Sequence, residues 1–478
     1  MAAPIIGPST TQTPYLTSTD PNVQFVSLLS AGDTVPGATN PDGSPWRFVG
    51  IPDGIGAFDN KDGTLTVLVN HEIGPTNGIV RDHGSIGSFV SELTIDWRSL
   101  AVVGADDLGK SLYLYDAATG TWGLDTDALA RLCSADLADA AAFYDAASGL
   151  GTTARIFLNG EETGVEGRGF AWIASGENKG EVWELPHLGK FSWENMLASP
   201  ASGARTVVMG TDDATPGQVY LYVGDKQATG NDIEKAGLTN GLLYGIKADF
   251  AFETSVGQSL EGRFIVADSG DVSGSTGQQL QDYSNAVATT AWLRPEDGAW
   301  DTINPNRFYF ATTNAFDQPS RLWALDFFDV KNPEWGGTYT ALLDGTEGQQ
   351  MLDNLTVAAD GKVLLQEDVG NQTRLSKVWS YDPATDGLTE VAQHDPARFG
   401  TPPVAPFNQD EESSGIVEVT ELFPRDPGQR LFLVDTQAHY PFGAEGSAER
   451  QEIVQGGQLM LMVVNDFAGL GGTDQVFA

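Results

Sequence analysis

Hydrophobic positions fall in short runs that end at turn residues. Gly63-Thr-Leu-Thr-Val-Leu-Val-Asn-His-Glu72 alternates apolar and polar, becomes continuously apolar, and stops at Asn70-His71-Glu72. Alternation of period two marks a half-buried strand, and a short continuous run marks a fully buried one. A second pattern, apolar–aromatic–apolar followed by turn residues, recurs at 112–115, 182–185, 219–223, 242–246, 322–326 and 378–382. Two copies run into a matching hairpin signal, Asp116-Ala-Ala-Thr119 and Asp382-Pro-Ala-Thr385. One strand type repeated across the chain predicts an all-β protein made by radial repetition of small sheets, a β-propeller. A large β-sandwich or a pair of β domains is the competing architecture. Helical spacing is confined to 125–133 and 135–147, which predicts a small helical insertion around 125–147. Residues 1–25 are rich in Thr, Pro and Ser and read as an extended N-terminal segment. Nothing from 26 to 478 marks a linker, so that span reads as a single propeller domain.

Composition supports many tight turns, with 56 Gly and 24 Pro in 478 residues, and 41% hydrophobic residues suffice for a core. The charge balance is 65 acids against 26 bases, a net −39. Such a surface is repelled by nucleic acid and by anionic membranes. It suits divalent cations, salty surroundings, or both. The single cysteine, Cys133, rules out an intramolecular disulfide. No apolar run approaches the roughly 18 residues of a membrane span. The N-terminus has no basic region followed by an apolar core, so no ordinary signal peptide is read. The small, apolar and acidic tail 467–478 suits a C-terminal export signal, and the expected location is secreted or periplasmic.

Charge matters most where it is placed. Acids or amides sit at the ends of apolar runs at Asn70-His71-Glu72, Glu161-Glu162, Glu194, Asp212-Asp213, Glu296-Asp297, Asp353-Asn354, Glu367-Asp368, Glu411-Glu412 and Gln437 with His439. Adjacent carboxylates beside a buried strand repel and lose hydration unless they open to water or share a cation. In a propeller, equivalent strand ends converge on one central opening. Carboxylates gathered there suit hard cations such as Ca²⁺, which takes about six to eight oxygens. Any one pair alone reads as a surface turn, and it is the recurrence that points to metal. Arg294 stands beside Glu296 with Pro295 fixing the backbone between them, and its fork suits either phosphate or a structural salt bridge. The five histidines have no zinc spacing. His83 reads either as support for neighbouring ligands or as a turn residue. No nucleophile elbow, Walker loop or dinucleotide fingerprint is present.

Several of these segments, in order, resemble the PhoX-type alkaline phosphatases, a family that carries the domain DUF839. Asn70-His71-Glu72 matches that family's "VNHE", and Ile156-Phe-Leu-Asn-Gly-Glu-Glu162 resembles "WLTCEE". Leu188-Gly-Lys-Phe-Ser-Trp-Glu194 resembles "GRFKHE", and Val207-Val-Met-Gly-Thr-Asp-Asp213 resembles "VYMGDD". Arg294-Pro295-Glu296 begins "RPEW", Glu412-Ser-Ser-Gly415 resembles "E-x-T-G", and Gln437-Ala-His439 resembles "QHPG". The resemblance implies a six-bladed propeller with an axial Ca²⁺ cluster that hydrolyses small phosphate esters. It implies Glu72, Glu162, Asp213, Glu194, Glu296 and Glu412 as metal ligands and Arg294 as the catalytic residue on the phosphoryl oxygens. In the family the cluster includes iron held partly by a cysteine. Here Gly160 stands where "TCEE" has its cysteine, which argues against iron, and Cys133 lies upstream with no place at the metals. Trp193 replaces the histidine before the "HE" glutamate, and Tyr440 stands near the proline of "QHPG". The alternatives are a non-catalytic calcium-binding propeller that serves assembly, and a Ca²⁺-dependent lactonase-type hydrolase.

Overall fold

Strand pairing follows the order of the chain. The structure, a computed structural model, describes residues 4–254, 257–400, 407–467 and 470. Pro52–Asp59, Thr64–His71, Phe89–Asp96 and Val102–Asp107 form one antiparallel sheet. Leu132–Asp136, Ile156–Glu161, Gly169–Ile173 and Glu181–Glu184 form the next, widened by the hairpin Ser111–Asp116 and Thr121–Asp125. Trp193–Ala198, Arg205–Asp212, Val219–Asp225 and Leu242–Ala248 follow, then Pro295–Trp300, Arg307–Thr312, Arg321–Phe327 and Gly337–Leu343. The long strand Glu261–Gly270 bonds to both of these and joins them in a nine-stranded sheet. Leu352–Val357, Val363–Glu367, Lys377–Asp382 and Gly387–His394 come next, with Leu16–Ser18 on their edge. The last sheet holds Glu411–Glu418, Arg430–Pro441, Gln455–Val464 and Val23–Ser30, with Ile5–Ile6 on its outer edge. Both ends of the chain therefore share one sheet.

The opening strands of these sheets touch in sequence. Pro52–Asp59 meets Leu132–Asp136, which meets Trp193–Ala198, then Pro295–Trp300, Leu352–Val357 and Glu411–Glu418, and the last returns to Pro52–Asp59. The ring is closed and the architecture is β-propeller-like. Aromatic and branched side chains fill the wedges between sheets. Trp292, for example, lies edge-on to Phe310 and Trp323 at 5.0 and 5.1 Å. Full burial of such side chains contributes about 1.5–3 kcal/mol each for residues of Val to Phe size.

The predicted hairpins at 116–119 and 382–385 are present, each with its aspartate accepting a backbone N–H two residues on, from Ala118 and from Ala384 at 2.9 Å. The predicted helical insertion around 125–147 is not formed. Leu132–Asp136 is instead an innermost strand, paired with Ile156–Glu161. Leu132 and Cys133 are buried there, and this burial overrides a weak helical propensity. The Ala-rich stretch keeps one 3₁₀ turn, Ala140–Ala142, capped by Asp139. Near the N-terminus the short strands Ile5–Ile6 and Leu16–Ser18 are formed. Among the described residues no helix is long and apolar enough to cross a membrane. Of the tail 467–478, all but Phe467 and Leu470 lie outside the described residues.

Candidate functional site

Each innermost strand begins in the same way. Its second residue is Asp53, Cys133, Glu194, Glu296, Asp353 or Glu412. At or just after that residue the pairing register slips, between Pro52 and Ile55, Leu132 and Ala135, Trp193 and Asn195, Pro295 and Gly298, Leu352 and Leu355, and Ser413 and Ile416. A bulge re-aims a side chain at the place where it occurs. Here it lets each strand offer one ligand atom to the axis while the flanking residues stay in the sheet. Four of these strands are preceded by a non-glycine residue in the left-handed region, namely Ile51 (φ 42°), Arg131 (φ 44°), Arg294 (φ 59°) and Met351 (φ 52°). That conformation costs on the order of 1–3 kcal/mol each and is held where the surroundings demand it.

A second tier comes from the neighbouring strand of each sheet. Glu72, Glu162, Asp213 and Asp368 each directly follow the last residue of that strand. One hydrogen bond recurs and ties the tiers together. The N–H of Glu72 donates to Ile51 O at 3.0 Å, Glu162 to Arg131 at 2.9 Å, and Asp213 to Ser192 at 2.8 Å. Thr313 donates to Arg294, Asp368 to Met351 and His439 to Asp410, each at 3.0 Å. Thr313 and His439 thus hold the places that carboxylates hold elsewhere.

The result is an axial cavity of about 200 Å³ lined by Glu72, Arg131, Cys133, Glu162, Glu194, Asp213, Arg294, Glu296, Asp353, Asp368, Glu412 and His439. Ligand atoms come within 4.8 Å of one another in four linked groups. These are Asp53, Glu72 and Cys133; Cys133, Glu162 and Glu194; Glu194, Glu296 and Asp353; and Asp353, Asp368 and Glu412. Cys133, Glu194 and Asp353 each belong to two groups, so the groups form a chain rather than separate sites. Gln437 ties its ends by donating to Asp53 and Glu72, both at 2.9 Å, and to Glu412 at 3.3 Å.

These carboxylates are poorly compensated. Burial, then repulsion from neighbouring acids, holds Asp53, Glu162, Glu194, Glu296 and Asp353 well above the ordinary carboxylate range. Burial and Glu412 lift Asp368 to about 7. Burial, then Asp53 and Glu194, pushes the Cys133 thiol up as well. A cation among these groups removes both penalties at once and favours the thiolate, so the donor set fits a metal cluster. His439 moves the other way. Burial lowers it, but the charge of Glu412 at 3.9 Å and the hydrogen bond to Gln455 at 2.8 Å outweigh that and lift it to about 9.

Arg294 is anchored by Nε and Nη2 on the two oxygens of Asp213, at 2.8 and 2.9 Å, and Nη2 is 3.1 Å from Glu296 Oε1. Among the described residues its Nη1 has no hydrogen-bond partner. The sequence-predicted residues Glu72, Glu162, Glu194, Asp213, Arg294, Glu296 and Glu412 are therefore brought to one cavity. Several acids beside them turn away: Glu161 pairs with Arg168 at 2.7 Å, and Glu367 accepts from Trp379 at 2.9 Å. His71 is stacked on Phe89 and held by Ser91 inside the sheet, where burial lowers it to about 3. His83 lies beside Lys110 and Thr126, outside the axial cavity.

The expectation that Cys133 has no place at the metals is corrected: its Sγ lies in the cluster, 3.6 Å from Asp53 Oδ2. The argument against iron from Gly160 loses its basis, because the thiol arrives from the neighbouring innermost strand. The space a side chain at Gly160 would need is filled by Trp193, whose Cβ and Cγ lie 2.4 Å from an added Cβ. Sequence reasoning also missed Asp53 and Arg131 and did not select Asp353, Asp368 or His439. The missed signal is a short phrase, a proline or large apolar residue, then the ligand, then a small or polar residue: Pro52-Asp53-Gly54, Leu132-Cys133-Ser134, Trp193-Glu194-Asn195, Pro295-Glu296-Asp297, Leu352-Asp353-Asn354.

Fold and site together define an all-β, propeller-like protein with a metal-type donor cluster on its axis. No protein-family model matches the chain, and no curated protein matches it in sequence. Among solved structures it is similar to Pseudomonas fluorescens PhoX in complex with vanadate, a transition state analogue. The TM-score is 0.64 at 12% identity, with 97% of each chain covered. At that identity the likeness is one of fold. A Trypanosoma rangeli sialidase also matches, at TM-score 0.37 and 10% identity over 94% of this chain and 59% of that one, too low to carry an argument.

Proposed function

We propose that the chain is a secreted or periplasmic, calcium-dependent phosphoesterase acting on small phosphate esters. In this reading it is a six-bladed propeller domain over 26–478 with an extended segment at 1–25. The observation that carries it is the chain of linked ligand groups beside an arginine whose Nη1 has no hydrogen-bond partner among the described residues. The PhoX-like fold supports it, and the vanadate bound by that PhoX is in line with phosphoryl chemistry.

Glu72, Glu162, Glu194, Asp213, Glu296 and Glu412, with Asp53, Asp353 and Asp368, would hold the cations. Their oxygens suit Ca²⁺, and the Cys133 thiol is the one soft donor, suited to a transition metal such as iron. When bound, the cations supply Lewis acidity and offset the charge of the phosphoryl group. Arg294 holds the phosphoryl oxygens through Nη1. Asp213 fixes the fork beforehand, so little side-chain freedom remains to be lost on binding. His439 also lines the cavity, 3.9 Å from Glu412, and can donate a hydrogen bond there. The buried ring beneath the cavity leaves the substrate on the open side, where Arg131 and Arg294 keep 48% and 31% of their side chains exposed.

The test is turnover of p-nitrophenyl phosphate with Ca²⁺ and with EDTA. The expected result is Ca²⁺-dependent activity at neutral to alkaline pH. A protein that binds Ca²⁺ with a raised melting temperature yet turns over no ester would be a calcium-binding propeller instead.

A further inference from the structure

Arg131 and Arg294 occupy equivalent places. Each immediately precedes an innermost strand with a left-handed φ, and each gives its carbonyl to a residue of the outer tier, Glu162 or Thr313. The other equivalent positions are Ile51, Ser192, Met351 and Asp410, none of them cationic. The two guanidiniums are held alike. Arg294 uses Nε and Nη2 on Asp213. Arg131 uses Nε on the Glu162 carbonyl at 3.1 Å, and Nη2 on Glu72 at 2.8 Å and on the Glu162 carboxylate. In both, Nη1 makes no hydrogen bond to the described residues, and the side chain lines the axial cavity. They share no carboxylate. Arg131 sits over the groups containing Glu72 and Glu162, whereas Arg294 sits over Asp213 and the group containing Glu296. Arg131 is the more exposed of the pair, with 48% of its side chain open to solvent against 31% for Arg294.

We infer that Arg131 is a second anion-binding residue and that the site takes phosphate esters whose leaving group carries another anionic group. The phosphoryl group lies on Arg294, and the second anion, a carboxylate or a further phosphate, lies on Arg131. This rests on the phosphoesterase reading and narrows its substrate class.

Non-hydrolysable ligands test it apart from turnover. Binding of phenylphosphonate and of 4-phosphonobenzoate, which adds one remote carboxylate, is measured by calorimetry on the Ca²⁺-loaded protein. Wild type should prefer 4-phosphonobenzoate by about tenfold, or about 1.4 kcal/mol. Arg131→Gln should bring that ratio close to one, and Arg131→Lys should keep part of it, since charge survives and the fork does not. The same ratio is then read in kcat/KM for 4-carboxyphenyl phosphate against phenyl phosphate. No preference in wild type, or a preference that survives in Arg131→Gln, overturns the inference. Equal weakening of both ligands in Arg131→Gln makes Arg131 a counterion and overturns it too. Binding with the expected preference but without hydrolysis of either ester upholds the anion site and removes only the phosphoesterase reading. Binding of neither phosphonate removes both.

Discussion

Adding a methyl group at Gly160 should destabilise the protein, although the backbone there tolerates it. Gly160 lies in the strand Ile156–Glu161 and is not in the left-handed region. On backbone grounds alone, Gly160→Ala should stabilise by about 0.4–1 kcal/mol by restricting the unfolded chain. The packing says the opposite. An added Cβ lies 2.4 Å from Trp193 Cβ and Cγ and 3.0 Å from Cδ1, against about 3.5–4.0 Å for carbon atoms in comfortable contact. The indole cannot retreat. A Cβ on Gly210 would lie 2.7 Å from its Cζ3 and one on Gly169 3.3 Å from its Cε2, and Phe191 packs on it at 3.9 Å. Overpacking of this kind costs about 1–3 kcal/mol. Equilibrium urea denaturation should show a lower midpoint with the slope unchanged. Ca²⁺ affinity should fall with it, because Trp193 adjoins Glu194. In the Trp193→Gly background, which removes the Cβ as well as the ring, the added methyl should cost less, a coupling of about 1 kcal/mol or more. A Gly160→Ala protein as stable as wild type, or more so, refutes the reasoning, since the sign itself is the test.

Three further outcomes are expected. The folded, metal-free protein keeps protons on Glu194, Glu296, Asp353 and Asp368 that the unfolded chain releases near about pH 4. Its stability should therefore fall as pH rises from about 4 through about 7, and Ca²⁺ should remove most of that fall; a melting temperature in EDTA that is flat or rising over this range contradicts it. Arg294→Ala should lower kcat/KM for p-nitrophenyl phosphate by about 100-fold or more, as loss of a charge-stabilising donor does, and near-wild-type turnover would remove Arg294 from the phosphoryl group. Cys133→Ser should retain Ca²⁺ and lose any transition metal in elemental analysis, whereas unchanged iron content would place that metal elsewhere.

The all-β character and the recurrence of strands were legible because period-two alternation and aromatic-bearing runs are local signals. Acids at the ends of second strands, such as Glu72, Glu162 and Asp213, were legible for the same reason, since each follows a conspicuous apolar run. The first tier was harder to read. Asp53 follows no apolar strand; it begins one, and the bulge that aims it inward arises only once Thr64–His71 pairs alongside. Leu132–Asp136 was misread as helix because its local spacing permits one, and only pairing with Ile156–Glu161 makes it a strand. Gly160 and Trp193 stood in the sequence as two unrelated departures from the PhoX-type pattern. In space they are one exchange, a ring laid over a missing side chain, and no one-dimensional reading joins residues that far apart.

The sheet shared by the two ends of the chain sets the order of events in folding. Val23–Ser30 pairs with Ile5–Ile6 on one side but reaches the rest of its sheet through Gln455–Val464, and Gln437 links the first ligand group to the last. Contacts of such sequence separation form late and slowly. A chain clipped before Gln437 would carry most of the ligands but lose the link between the first and last groups. A metal bound there would act as a latch: because its ligands come from every sheet of the ring, its binding energy would be added to the stability of the whole ring rather than to any single sheet.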